Sequence, residues 1–142
     1  GGDDLPGHFD LSSLRHLVSV GGPLSAESVR WSERVLDRPF HDCWCGSETG
    51  DIVLATLPGM DVRPGSSGRP LPGVDVAVLD GEYAPVPTGI EGALALRPGW
   101  PSMFRACWND SELYNASFRK GWYIPGQQAR IDNDGYVWLA DC

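Results

Sequence analysis

The chain has 142 residues, with 11 Lys and Arg against 19 Asp and Glu, a formal net charge of −8. That acidic balance excludes binding to nucleic acid or to an anionic membrane through a basic patch. No apolar run approaches the roughly 18–20 residues of a spanning helix. The hydrophobic fraction is 42%, and six Trp, four Tyr and four Phe supply large apolar bodies, enough for one domain or two small subdomains. Cys43, Cys45, Cys107 and Cys142 read as reduced thiols of a cytoplasmic protein, because a chain of this size has no need of disulfide staples. The small, acidic start Gly1-Gly2-Asp3-Asp4 is not a signal peptide.

Residues 1–13 read as a polar loop or short helical turn. The apolar run Leu14–Val20 predicts a buried strand, ended by Gly21-Gly22-Pro23. Ser25 is a natural N-cap and Glu27 favours the first turn of a helix over 26–37, whose apolar stripe is Val29, Val35 and Leu36 with Trp31 close to it. Pro39 stops that helix, and Phe40–Cys45 predicts a second buried strand. Strand, helix and strand in this order form a βαβ unit with a right-handed crossover.

Beyond residue 50 the pattern changes to short β-rich runs: Ile52–Thr56, Val74–Leu79, Ala93–Leu96, Trp122–Ile124, Ala129–Ile131 and Tyr136–Leu139. Pro-Gly and Asp-Gly pairs separate several of them, and Asn133-Asp134-Gly135 turns a final hairpin. Asn109–Asn115 predicts a short helix. The expected architecture is α/β plus β: a partial α/β subdomain over 1–50, then a small, mostly antiparallel subdomain over 51–142, barrel-like or a bent sheet.

The segment His41-Asp42-Cys43-Trp44-Cys45-Gly46-Ser47-Glu48-Thr49-Gly50 carries the most chemistry. A strand runs into a Gly/Ser/Thr loop bearing one carboxylate. Such a loop can offer a hydroxyl and backbone N–H groups to a phosphate and a carboxylate to Mg²⁺, or can be a polar turn after a core strand. His41, Cys43 and Cys45 alternate, so a regular strand points all three to one face. They could ligate a metal or supply a nucleophilic thiolate, or be small packed side chains. Asp110, Asp132 and Asp134 lie in turn contexts, and Trp100, Trp108, Trp122 and Trp138 read as core or interface.

Several motifs in order carry a resemblance: Ser19-Val20-Gly21-Gly22-Pro23-Leu24, residues 42–50, Pro58-Gly59-Met60-Asp61, Pro64-Gly65-Ser66 through Pro70-Leu71-Pro72-Gly73, Pro98-Gly99-Trp100-Pro101-Ser102-Met103, and Gly121-Trp122-Tyr123 through Asp134-Gly135-Tyr136. From about Asp10 to Trp138 the chain resembles the middle portion of the acetyl-CoA synthetase branch of the adenylate-forming superfamily. The resemblance implies that a carboxylate attacks ATP to give an acyl-AMP and that CoA then displaces AMP. By resemblance Gly21, Gly22 and Pro23 line an adenine pocket, Asp42 contacts the adenine amine, and Ser47 lies near the α-phosphate in place of a Thr. Glu48 then holds Mg²⁺, and Cys45 replaces a Trp that closes the acyl pocket, which widens it. Ser47 and Glu48 are the catalytic candidates; ATP or AMP and Mg²⁺ are the implied ligands.

Three departures bear on activity. The family's phosphate loop lies upstream of the first residue of this sequence, and its hinge Arg and lysine-bearing domain lie beyond Cys142. Gln127 stands where the family has a ribose-binding Asp, and Gln offers a single acceptor oxygen. Gly22 and Gly46 replace a Glu and a Gln. The expectation is a truncated synthetase-like protein, degenerate or repurposed, with residual nucleotide or acyl-adenylate binding or a role in completing a split acyl-activating enzyme. The alternative is a small enzyme or interaction module built on His41, Cys43 and Cys45 without adenylation. Loss of the upstream half leaves the Leu14–Val20 strand with an open edge, so a protein partner or self-association is expected there.

Overall fold

The computed structural model describes residues 6–140, so the expectations for the first five residues and for Cys142 lie outside it. A single 3₁₀ turn, Pro6–His8, precedes β1 (Leu17–Val20), α1 (Ala26–Leu36) and β2 (Phe40–Cys45). These follow as β3 (Ile52–Ala55), β4 (Arg69–Pro70), β5 (Val76–Leu79), β6 (Gly92–Leu96), α2 (Ser111–Ala116), β7 (Phe118–Arg119), β8 (Trp122–Tyr123), β9 (Gln128–Ile131) and β10 (Val137–Leu139).

The chain makes two sheets. In the first, of order β1-β2-β3-β4, β1 and β2 are parallel with Leu17 opposite Phe40 and Val20 opposite Cys43; the other pairs are antiparallel. The βαβ unit is therefore present. Ser25 caps α1, accepting from Ser28 N at 3.0 Å, and Asp37 closes it in the left-handed region at φ 53°. Ser32 is fully buried and its Oγ accepts from Phe40 N at 2.8 Å, which ties the helix to the start of β2.

The second sheet has the order β10-β9-β6-β8-β7, with β5 on the other edge of β6. All its pairs are antiparallel, but it is an open sheet, not a closed barrel: β10 and β7 end its path. Closure fails because β7 and β8 are two residues long and β8 meets β6 only at Leu96–Tyr123.

The two sheets share one core. Val53 and Leu54 of the first pack with Val78, Leu94, Leu96, Tyr123 and Val137 of the second, all nearly or fully buried. Each such aliphatic side chain contributes roughly 1.5–3 kcal/mol by leaving water. Beside this core, Phe104, Tyr114, Phe118 and Tyr123 form a ring cluster with centroids 5.0–5.8 Å apart, which holds α2 in place.

The expectation of a buried first strand needs correction. Leu17 and Ser19 are half-buried, whereas Val18 is 47% and Val20 54% exposed, so only one face of β1 is covered. Trp108 is 92% exposed and is not a core residue.

The loop between β3 and β4 is locked to the β9–β10 hairpin. Ser67 N donates to Val137 O at 3.0 Å and Val137 N to Gly68 O at 2.8 Å. Arg63 pairs with Asp132 at 2.7 Å and Asp134 at 2.6 Å while lying over the Tyr136 ring. The Asp132 carboxylate also accepts from Tyr136 N, Asp134 N and Trp138 Nε1. Burial acts to raise its pKa, but these hydrogen bonds and Arg63 outweigh it and hold the group below the usual carboxylate range. Asp132 is thus a structural turn residue.

Candidate functional site

A cavity of about 460 Å³ opens at the carboxyl ends of the parallel strands β1 and β2. Open α/β sheets bind their ligands in this position, because the loops leaving parallel strands diverge there. Its first wall is Gly21, Gly22, Pro23 and Leu24, the turn between β1 and α1. Gly21 has φ +87°, a conformation that a side chain would strain, and a Cβ on Gly21 or Gly22 would meet nothing within 4 Å. The turn thus presents bare backbone to open space, suited to a flat ligand.

Asp42, Cys43, Trp44 and Cys45 of β2 form the second wall. The Asp42 carbonyl accepts from Thr56 N at 2.9 Å, which fixes the backbone and leaves the carboxylate at the cavity. Burial raises its pKa above the ordinary carboxylate value, against the opposing pull of the Ser67 hydroxyl and the Cys43 N–H. A half-buried carboxylate with few donors gains from a ligand that brings an N–H or O–H.

The last wall joins the two sheets through Gly65, Ser67, Gln127, Leu139 and Ala140. The Gln127 carbonyl accepts from Leu94 N at 2.8 Å, which anchors it to β6, while its buried side-chain Oε1 has no hydrogen-bond partner. Leaving such an acceptor unmet costs about 1–3 kcal/mol, which a hydroxyl donor would recover.

Of the residues singled out from the sequence, Gly21, Gly22, Pro23, Asp42, Cys45 and Gln127 thus share one cavity. Ser47 and Glu48 do not line it; both are exposed on the turn that follows β2. That turn is rigid underneath. Thr49 is fully buried, and its Oγ1 accepts from Gly46 N at 2.9 Å. Its carbonyl accepts from Trp100 Nε1 at 2.8 Å and from Ser102 Oγ at 3.1 Å. Phe104 N donates to Glu48 O at 2.8 Å. Gly50, at φ +64°, is required because a Cβ there would lie 2.0 Å from Ser102 O. Ser67 is a polar wall residue that the sequence reading missed, as it missed Leu24, Trp44, Gly65, Leu139 and Ala140; its signal is the Gly65-Ser66-Ser67-Gly68 run, where glycines at positive φ bracket two buried serines.

Of His41, Cys43 and Cys45, only Cys43 is buried; the other two are half-buried. The β2–β3 ladder is irregular between Trp44 and Cys45, so strict alternation is interrupted there. Burial, then the neighbouring Asp42 and Cys45, pushes the Cys43 thiol up, opposite to what a nucleophilic thiolate needs. The His41 ring lies 4.2 Å from that of His16, tilted by 50°, and burial followed by the His16 charge lowers the His41 pKa. No group of three His, Cys, Asp or Glu among the described residues could hold a metal ion. Cys43, Cys45 and Cys107 are free thiols.

The family model for AMP-binding enzymes matches residues 3–108. The chain belongs to the AMP-binding enzyme family. It is 43% identical over 139 residues to the acetyl-coenzyme A synthetase of Bacillus subtilis (strain 168), a match covering 97% of this chain and 24% of that protein. It is also 43% identical over 145 residues to the acetyl-coenzyme A synthetase of Streptomyces avermitilis, covering 97% of this chain and 22% of that one. Among solved structures, the anthranilate CoA ligase AuaEII in complex with anthranoyl-AMP superposes with a TM-score of 0.83 at 32% identity, covering 93% of this chain and 25% of the other. ATP-bound MatB from Rhodopseudomonas palustris gives 0.81 at 28% identity, over 88% and 25%. This family member therefore spans about a quarter of the length of the relatives it matches. No described helix is long and apolar enough to cross a membrane.

Proposed function

We propose that the cavity at the ends of β1 and β2 takes an adenine nucleotide, and that the chain supplies one wall of an acyl-adenylate-forming site. The observation that carries this reading is the convergence of Gly21, Gly22 and Pro23, Asp42, and Gln127 on one cavity, in a chain of the AMP-binding family. The bare backbone of the glycine turn accepts the flat base. Asp42 accepts from the exocyclic amine, and the unmet Gln127 Oε1 accepts from a ribose hydroxyl. Cys45, small for its place in the wall, leaves room for an acyl group larger than acetyl.

The exposed Ser47-Glu48 turn faces the phosphates in this reading. Mg²⁺ fits the donor chemistry there, since that ion is held by one or two carboxylates with the phosphate oxygens themselves. Glu48 would hold it, and the ion would neutralise phosphate charge during acyl transfer. Gln127 in place of a carboxylate, with Gly22 and Gly46 in place of longer polar side chains, supports retained binding with weakened catalysis: a repurposed synthetase wall, or the complement of a split acyl-activating enzyme.

Isothermal titration of the protein with AMP and with ATP–Mg²⁺ tests this. Saturable heat that Asp42→Asn weakens supports it; no heat at millimolar ligand overturns it.

A further inference from the structure

Two titratable side chains outside the cavity wall lie against each other. His41 is on β2 and His16 stands just before β1; the parallel register, with Leu17 opposite Phe40 and Val18 opposite His41, brings them together. Their ring centroids are 4.2 Å apart. The His41 Nδ1 is buried and has no hydrogen-bond partner among the described residues. Neutral imidazoles tolerate this contact, whereas two imidazolium ions at roughly 4 Å repel. Protonation also makes both ring nitrogens donors, so a charged N–H would lie buried without an acceptor. No opposite charge compensates among the described residues. β1, β3 and α1 pack against β2. The two strands carry no titratable side chain, and Glu27, Arg30, Glu33 and Arg34 of α1 are all exposed. Arg38, before Pro39, donates from Nε to the Leu14 carbonyl at 2.8 Å. On β2 itself Asp42 is the next residue, and alternation sends its side chain to the other face of the strand. His16 is the charge that acts on His41, and with burial it lowers the His41 pKa against the pull of the Leu17 and Pro39 backbone.

Both strands lead from this pair to the cavity. β1 runs into the Gly21-Gly22-Pro23 turn, and Asp42 follows His41 directly, so two cavity walls hang on the β1–β2 pairing. We propose that His16 and His41 form a proton-operated latch between β1 and β2: when His41 takes up a proton in mild acid, the rings push the strands apart and the glycine-turn wall moves away from Asp42. Linkage fixes the sign. The folded state binds this proton less readily than the unfolded chain, so the stability from His41 is present above pH 6.5 and is lost as pH falls through the lowered value. Asp42, whose pKa is raised, works in the opposite sense, so it is not the source of a loss of pairing in acid. The loosening stands on the sheet alone; its consequence for a nucleotide rests on the reading of the cavity given above.

Amide hydrogen exchange of the ligand-free protein at pH 7.5 and pH 5.5 tests this, read as protection factors so that the intrinsic effect of pH cancels. Protection of the amides shared by β1 and β2 should fall about fivefold or more in acid, while that of Ala93–Leu96 in the second sheet stays level. His41→Gln should abolish the fall. His16→Gln, at an exposed position that leaves the fold intact, should remove part of it. Protection that is unchanged in the parent overturns the proposal. So does a fall that His41→Gln keeps, or one that His16→Gln leaves at full size. The readout needs no nucleotide: absence of AMP binding would overturn the reading of the cavity and leave this one standing.

Discussion

Replacing Asp42 by Asn separates the stability of the site from its function. In the free protein the carboxylate sits at the cavity with the Ser67 hydroxyl and the Cys43 N–H as donors, and burial raises its pKa above 3.8. The folded protein therefore holds this proton to higher pH than the unfolded chain does. Stability from this group is full below pH 3.8 and is lost as pH rises through the raised value. At neutral pH the charge is a net cost to folding. Asn is of equal size, keeps an acceptor for Ser67 and carries no charge. D42N should thus melt at or above the parent temperature at pH 7.5, and the difference should vanish as the buffer approaches pH 4, near the ordinary carboxylate value. For the nucleotide the sign reverses. Asn still accepts from the exocyclic amine, so D42N loses only the charge assistance, about 1 kcal/mol, and should weaken AMP binding by about fivefold. Scanning calorimetry at the two pH values and titration calorimetry with AMP give both numbers. A variant that melts several degrees lower with unchanged AMP affinity would refute the reasoning, since Asp42 would then be a folding residue only.

Two further outcomes follow from the same geometry. Cys43 is 9% exposed and its thiol is pushed up by burial, so iodoacetamide at pH 7.5 should leave it unmodified in the native protein and label it on unfolding; peptide mass mapping reads the site, and rapid native labelling contradicts the packing role. Gly68 has φ +82°, and a Cβ there would lie 2.1 Å from the Ala55 carbonyl carbon, so Gly68→Ala should cost about 3 kcal/mol or more in denaturant unfolding; a loss under about 1 kcal/mol would show that β3 and β4 can part without penalty.

The elements whose signals are local were legible in the sequence. Ser25 as a cap, Pro39 as a stop and Asn133-Asp134-Gly135 as a turn each act within a few residues, and the helix and hairpin between them follow. The two-residue strands Arg69–Pro70 and Phe118–Arg119 were not, because so short a run has no periodicity and is a strand only by virtue of its partner. The sequence left barrel and bent sheet both open for the second sheet, because closure depends on whether β7 finds a neighbour, which no local pattern states. Val18 and Val20 misled because an apolar run reports hydrophobicity and not which face of a strand has a neighbour, and both stay about half exposed among the described residues. In the site, Gly21, Gly22, Pro23, Asp42 and Cys45 could be found from their motifs, and the cavity unites them with Gln127. Ser67 could not, because its place depends on Val137, 70 positions away in the chain, holding its loop against the hairpin. Ser47 and Glu48, the catalytic candidates of the motif, are exposed on the turn after β2 and do not line the cavity.

The central claim is that AMP occupies the cavity between the two sheets. An amide-resonance titration of the isotopically labelled protein with AMP tests it most directly. Shifts should concentrate on Gly21, Gly22, Leu24, Asp42 to Cys45, and Gln127, on both sheets together and with one common dissociation constant. Shifts elsewhere, or none at millimolar AMP, would contradict it.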